Sequence, residues 1–333
     1  MDVYILAIET SCDETSVAIV KNGSDVISLS IATQIDFHAQ YGGVVPEMAS
    51  RMHTECINYV IDDCLKKANI KIADISAIAV TSSPGLLGSL LVGIEAAKAL
   101  SLVYAKPLIA VNHIAGHIYA NNIDNKIEYP SLAVVLSGGH SELLLMEDDY
   151  KFKVLGSTLD DAIGECYDKV ARVLGLTYPG GPAISNLASK GNNTYKLPKP
   201  MNDESLNLSF SGLKSAVINL VHNEKQRGND INREDLACSF QTVAIEEIIR
   251  KVSLAIDRTK VKNVIVAGGV SANTYLREEM NKLASKYNVK LSIPKLIYCT
   301  DNAAMIGAAA YPLYLKRDFA SYDLNGNSQD MIF

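Results

Sequence analysis

Val3-Tyr4-Ile5-Leu6-Ala7-Ile8, then Glu9-Thr10-Ser11-Cys12-Asp13-Glu14-Thr15, then Ser16-Val17-Ala18-Ile19-Val20 reads as an apolar strand, a polar turn and a second strand. The same phrase returns as Ser131 to Leu136, the turn Ser137-Gly138-Gly139-His140, and Ser141 to Met146. A second phrase is also duplicated. Ile75 to Val80 leads through Thr81-Ser82-Ser83-Pro84-Gly85-Leu86-Leu87-Gly88 into a helix reaching Ala99. Val261 to Val266 leads through Ala267-Gly268-Gly269-Val270-Ser271-Ala272-Asn273 into a helix reaching Tyr287. The second copy is longer, and its insertion is expected within 157–238.

Two α/β halves, each a mixed sheet begun by a hairpin, describe the actin-like (ASKHA, RNase H-like) duplicated two-lobe fold, with a nucleotide and metal cleft between the lobes. Glycine-rich tips let backbone N–H groups and helix N-termini approach phosphate oxygens. A Rossmann dehydrogenase is the competing α/β reading, but no Gly-x-Gly-x-x-Gly follows the first strand. The expected division is residues 1–110 plus about 302–326 as the first lobe, 111–301 as the second, and 327–333 as a flexible tail.

His113-Ile114-Ala115-Gly116-His117 places two imidazoles on one helical face, and a distant carboxylate, Asp301, would complete a His, His, Asp metal site with open positions. Such pairs also occur on plain surface helices. Here the apolar run Pro107 to Val111 reads as a buried strand and Asn112 as the cap of a helix opening at its carboxyl end, where open α/β sheets place ligands. Thr300 is the expected cap before a helix from Asn302 to Ala310, and Asp301 has first-turn dipole compensation as its alternative role. The metallopeptidase form of the motif needs a glutamate after the first histidine; residue 114 is isoleucine.

The chain has 333 residues, 48% of them hydrophobic, enough for two cores. Its six cysteines, Cys12, Cys56, Cys64, Cys166, Cys238 and Cys299, form no Cys-x-x-Cys pair, and the chain opens directly on a strand. A reducing cytoplasm is expected. Apolar runs are broken by Gly, Ser or charge within about ten residues, so no membrane partner is expected. A net charge of −6 excludes an autonomous nucleic-acid binder driven by overall charge.

Glu9 to Thr15, Tyr41 to Arg51, His113 to His117, Ser137 to His140, Gly164 to Lys169, Tyr178 to Pro182, Phe210 to Lys214 and Ala267 to Asn273 together resemble the bacterial TsaD (formerly Gcp) family, over about residues 3–315. The resemblance implies a tRNA-modifying acyltransferase. Its members move threonylcarbamoyl from threonylcarbamoyl-AMP to the N6 amine of the adenosine 3′ of the anticodon, position 37, in tRNAs reading codons that begin with A. It implies one divalent metal per chain, Fe(2+) or Zn, on His113, His117 and Asp301. It also implies adenylate binding by Leu136, Ser137, Gly138, Gly139 and His140, with Asp168 on the ribose, Gly181 against the nucleoside and Asn273 near the base. Ser185 stands where many relatives carry aspartate, so the second ribose contact would be a neutral hydrogen bond, weaker than a charged one. The implied partners are tRNA, a TsaB-like paralogue and a TsaE-like ATPase.

Asp13 and Glu14, at the tip of the first hairpin, are candidates to receive the proton leaving the adenosine amine. His140 is a candidate for the threonyl carboxylate or reacting carbonyl, and Gly138 and Gly139 for N–H donors to oxyanion charge. On a helix read as Leu159 to Leu174, Asp161, Glu165, Asp168 and Arg172 share a polar face. Lys196, Lys199, Lys214, Lys225, Arg227 and Arg233, with Arg51, form a candidate track for tRNA phosphates, though a charge run is usually a solvated face. A small-molecule kinase, a metallopeptidase and a non-catalytic scaffold are the alternative functions.

Overall fold

The opening phrase folds as an antiparallel hairpin, β1 (Tyr4–Glu9) with β2 (Glu14–Lys21), in which Ala7 lies opposite Ala18. In the computed structural model, which describes residues 2–201 and 203–329, β3 (Asp25–Thr33) extends this hairpin antiparallel. β4 (Ala77–Ser83) and β5 (Leu108–Asn112) add in parallel on the other side, for the order β3-β2-β1-β4-β5. The connections carry α1 (Ile35–Ala39), α2 (Pro46–Ala68) and α3 (Leu87–Tyr104); after β5 come α4 (His113–Tyr119) and α5 (Asn121–Asp124).

The second sheet repeats the plan. β6 (Ser131–Leu136), β7 (Ser141–Asp148), β8 (Lys151–Ser157), β9 (Asn263–Ala267) and β10 (Lys290–Ser292) take the order β10-β9-β6-β7-β8, which is the first order read from the opposite edge. Between β8 and β9 lie α6 (Ile163–Val173), α7 (Gly180–Ala188), α8 (Ser211–Gln226) and the long α9 (Arg233–Thr259). The equivalent stretch of the first sheet holds α1, α2 and a short 3-10 turn at Ile72–Asp74; in the second, α6, α7 and α8 lie within 157–238 and α9 runs on to Thr259. α10 (Thr274–Tyr287) joins β9 to β10, and α11 (Ala303–Lys316) follows.

Ile5 to Ile8 are fully buried, as in a strand covered on both faces. Leu6 and Ile8 pack with Ile57, Val60 and Ile61 of α2 and Leu90, Ile94 and Ala97 of α3. The opposite face meets α11, where Gly307 comes so close that a Cβ there would lie 2.5 Å from Val20 Cγ2 and 3.4 Å from Ala7 Cβ. The second core gathers Leu132, Val134 and Leu136 of β6 with Ile163, Tyr167 and Val170 of α6 and Phe240, Ala244 and Ile248 of α9.

The compact units are Met1–Ile127 with Pro294–Phe333, and Glu128–Ile293. This moves the boundaries expected at 110/111 and 301/302, and assigns α4 and Asp301 to the first unit. The reason is packing: α4 lies against α11, with Gly116 beside Met305 and Ile306. Residues 330–333 of the expected tail lie outside the described residues, while Asn327 N–H donates to Ser82 O at 3.0 Å. The expectation of no membrane-length apolar run is also revised. α3 has 18 residues at hydropathy 1.5 and qualifies by length and composition. It carries Glu95 and Lys98, and its Leu90, Gly93, Ile94 and Ala97 are buried in the first core.

Gly307→Val forces an isopropyl group, three carbon atoms, against a β-branched neighbour in a rigid strand. Thermal or denaturant melts should show a loss of about 2–3 kcal/mol, the upper range for overpacking; an unchanged midpoint would contradict this account of α11.

Candidate metal centre and nucleotide-binding loops

β1, β4 and β5 run parallel, so their carboxyl ends, Glu9, Ser83 and Asn112, share one sheet edge. Asn112 caps α4 there, its Oδ1 accepting from Ile114 N at 2.8 Å and Ala115 N at 3.1 Å. The cap fixes the first turn, and the four-residue spacing presents His113 and His117 together, ring centroids 4.6 Å apart. A Cβ on Gly116 would meet Ile306 Cδ1 at 2.8 Å, so the bare residue lets α4 pack on α11 without displacing the Ile306 side chain. The cap of α11 is Asn302, accepting from Met305 N, and not Thr300 as expected. Asp301 consequently precedes the helix, its side chain free to turn toward α4 instead of compensating the helix dipole.

Asp301 Oδ1 lies 3.4 Å from His113 Nε2 and 3.2 Å from His117 Nε2, and the three residues form a cluster able to hold a metal ion. The His117 contact lacks hydrogen-bond geometry, and both ring nitrogens of this buried residue are unsatisfied. Unpaired buried polar atoms are costly and call for an explanation. The charge balance supplies a second argument. Burial disfavours an imidazolium at His113, but Asp301 and Glu9 outweigh it and raise its pKa to about 10. Burial likewise opposes the Asp301 carboxylate, yet His113 and His117 hold its pKa far below the usual range. The centre therefore demands positive charge, and two imidazoles with one carboxylate are suited to supplying it as a divalent transition metal.

Cys12 and Asp13 flank this centre and form a second donor group with Asp301. Burial first, then Asp13 and Asp301, push the Cys12 thiol well above its ordinary pKa. Asp13 is 8% exposed and raised by burial and by Asp301. Glu14, expected at the hairpin tip, is instead the first residue of β2, with Oε1 accepting from Thr33 Oγ1 at 2.9 Å and Oε2 buried without a partner. Burial and the neighbouring Asp13 raise its pKa to about 8. Sequence reasoning overlooked Glu9 and Cys12 as members of this centre. A carboxylate ending the apolar run Ile5 to Ile8 was the available signal for Glu9, because burying a charge requires partners.

In the second unit, β6 and β9 also run parallel, so the loops after Leu136 and Ala267 share an edge. Ser137 N–H donates to His140 O at 2.8 Å, and the Ser137 and Gly138 carbonyls accept from Gly164 and Glu165 of α6. Gly138 and Gly139 are exposed, with open space where a side chain would stand. Gly268, at φ +89°, has room for no Cβ, since one would lie 2.4 Å from Leu136 O; only glycine brings the two loops together. Asp168 on α6 accepts from Gly180 N at 2.7 Å, binding α6 to the start of α7, where Gly181 is open and Ser185 lies one turn on, half-buried. Asn273 caps α10 through Leu276 N and donates to Gln241 Oε1 at 2.8 Å.

Two expectations about charge change. α6 begins at Ile163, so Asp161 precedes the helix and instead pairs with Lys214 at 2.5 Å and Lys169 at 3.1 Å. That commits Lys214 of the basic track. Arg227 pairs with Glu224 and Arg51 with Glu47, both exposed and hence weakly held. Among the described residues no disulfide joins any of the six cysteines.

A family model described as "TsaD: tRNA N6-adenosine threonylcarbamoyltransferase" matches residues 25–308. A Bacillus subtilis (strain 168) protein named tRNA N6-adenosine threonylcarbamoyltransferase is 54% identical over 327 residues, covering 98% of this chain and 94% of that one. A Halalkalibacterium halodurans protein of the same name is 51% identical over 323 residues, covering 97% and 94%. Among solved structures, T. kodakarensis HypF is similar with a TM-score of 0.64 at 14% identity, over 97% of this chain and 49% of that one. Component A of the Acidaminococcus fermentans (R)-2-hydroxyglutaryl-CoA dehydratase gives 0.55 at 16% identity, over 95% and 99%. These distant likenesses bear on the fold alone, which is α/β and actin-like. With a family model spanning most of its length and relatives above 50% identity across nearly all of it, the chain belongs to the TsaD family of tRNA N6-adenosine threonylcarbamoyltransferases.

Proposed function

We propose that this protein transfers the threonylcarbamoyl group from threonylcarbamoyl-AMP to the N6 amine of adenosine 37 in tRNAs reading codons that begin with A. The observation that carries this reading is the near full-length identity to transferases of that name. The kinase, metallopeptidase and scaffold alternatives find no support among those relatives.

His113 Nε2, His117 Nε2 and an Asp301 oxygen are the donors for one divalent ion, Fe(2+) or Zn. Such an ion supplies Lewis acidity, neutralising charge on a phosphate or carbonyl oxygen of the donor substrate. The remaining work falls to the chain's own groups. The open face of Gly138 and Gly139 is assigned to offering backbone N–H groups to the acyl-phosphate, and His140, closing that loop, to the threonyl carboxylate or reacting carbonyl. Asp168, with Ser185, is assigned to the ribose hydroxyls, Gly181 to the nucleoside face and Asn273 to the neighbourhood of the base. Asn273 spends its Oδ1 on capping α10, so its part is to position.

Attack by the adenosine amine releases a proton. Glu14 is the better acceptor of the two carboxylates, because its Oε2 has no competing partner and its raised pKa makes it a stronger base near neutrality. Asp13, beside it, raises that basicity. Because the net charge is −6, tRNA binding is assigned to local basic groups such as Lys196, Lys225 and Arg233 together with partner proteins, a TsaB-like paralogue and a TsaE-like ATPase. A cytoplasmic location goes with this substrate and with cysteines that form no disulfide among the described residues.

Incubation with threonylcarbamoyl-AMP and unmodified tRNA, with iron or zinc and with or without both partner proteins, should yield threonylcarbamoyladenosine by nucleoside mass spectrometry. Elemental analysis should find about one metal ion per chain, lost in the His113→Ala, His117→Ala double variant. Asp301→Asn should lower metal affinity at least about 100-fold, since losing a group that merely supports a ligand already costs 10–100-fold. A folded sample that phosphorylates a small molecule and never modifies tRNA would overturn the assignment.

Glu14→Gln should lower the transfer rate about 10²–10⁴-fold while leaving bound metal unchanged. Its stability makes a separate check. A folded-state pKa raised from 4.5 to about 8 means stability that is present below pH 4.5 and lost progressively as pH rises through about 8. In metal-free protein, the Tm of Glu14→Gln relative to wild type should therefore climb between these pH values and level off above them. A pH-independent difference would remove Glu14 from this role.

A further inference from the structure

Glu9 is a fully buried carboxylate at the end of β1, and its side chain meets Ser11, Thr81 and the metal-centre residue His113. Its Oε1 accepts from Ser11 N at 2.5 Å. Its Oε2 accepts from Thr81 Oγ1 at 2.5 Å and stands 3.2 Å from His113 Nδ1. We infer that Glu9 is the positioning residue for metal capture: it holds the Nδ1 proton of His113, so that Nε2 presents its lone pair to the ion. The inference rests on the ion proposed above.

The chemistry leaves little choice. An ionised carboxylate only accepts, so the Nδ1 it faces must carry hydrogen, and in neutral imidazole the lone pair is then on Nε2, the nitrogen facing Asp301. Ser11 Oγ, 3.1 Å from the same Nδ1, is a hydroxyl able to donate or accept and cannot impose the tautomer alone. His117 makes a useful contrast, since its buried Nδ1 has no partner. The centre thus has one orientated ligand and one that is placed by packing only. Glutamine is a poor substitute for Glu9. Facing Ser11 N–H, its amide NH2 would set donor against donor; facing His113, it would pull the proton to Nε2 and block the ligand.

Glu9 touches neither the expected ion nor substrate, so its effect must pass through His113. Competition titrations of Zn2+ against a chromophoric chelator should show Glu9→Gln weakening affinity about 10- to 100-fold. In a His113→Ala background the same change should cost little more, because the group it orients is gone. Thr81→Val, nearly isosteric, should weaken affinity in the same direction by a smaller factor, and serves if Glu9→Gln does not fold. Long-range 1H–15N NMR of the Zn2+-loaded wild type should show His113 protonated at Nδ1. Wild-type affinity retained in Glu9→Gln (or, where that does not fold, in Thr81→Val), a penalty undiminished without His113, or protonation at Nε2 would each overturn the inference. Absence of Zn2+ binding by the wild type would overturn the metal reading itself.

Discussion

Helix α4 packs closely on α11, with the bare Gly116 set against Met305 and Ile306. A Cβ there would meet Ile306 Cδ1 at 2.8 Å and Met305 Cγ at 3.3 Å. Interiors are close-packed, so a single methyl group would drive the two helices apart or reshape the residues between them. The distance it protects is the one between two imidazoles on α4 and a carboxylate just before α11. Asn112 and Asn302 complete the constraint by capping the two helices, which sets where each begins and which way its first side chains point.

That arrangement gathers charge where water is scarce. Glu9 is fully buried, Asp13 nearly so, and Asp301 has 22% of its side chain exposed, against two buried histidines. Burial alone would neutralise these carboxylates. Glu9 and Asp301 instead stay ionised because His113 sits between them. A centre so balanced binds a cation, proton or metal, more readily than it stands empty. Glu14, farther along the same hairpin, has no cation to offset its burial and so retains its proton to higher pH. One stretch, Glu9 to Glu14, thus supplies a carboxylate kept charged and another whose pKa is lifted toward neutrality, the difference lying in which side chains each one faces.

The second unit is proposed to meet another problem, that of holding an anionic substrate without spending positive side chains. Its Gly138-Gly139 loop is pinned from behind by α6 and from the side by Gly268, leaving an exposed glycine face. Backbone dipoles held rigid in this way bind phosphate without reorganisation. The arrangement is compatible with an acidic chain, because the attraction is local and the net charge of −6 acts mainly at longer range.

The duplication was legible in the sequence because each hairpin is local: an apolar run, a polar or glycine turn and a second apolar run identify themselves without reference to anything distant. The pairing of His113 with His117 was legible for the same reason, since helical periodicity alone puts them on one face, and Asn112 declared itself as a cap from its place before them. Other features could not be read so far ahead. Whether Thr300 or Asn302 capped α11 decided where Asp301 pointed, and this depended on how the chain arrived from Pro294. The unit boundary moved because α4 finds its partner in a helix near the far end of the chain. Glu9 looked like one polar residue in a turn, Lys214 like one of a basic series, and Asp161 like part of a helix face. Each acquired its role from groups brought to it by folding: Thr81 and His113, Asp161, and the lysines at 169 and 214. A sequence records local periodicity and capping directly, whereas a buried charge is defined by its partners, and those partners are chosen only when distant faces pack.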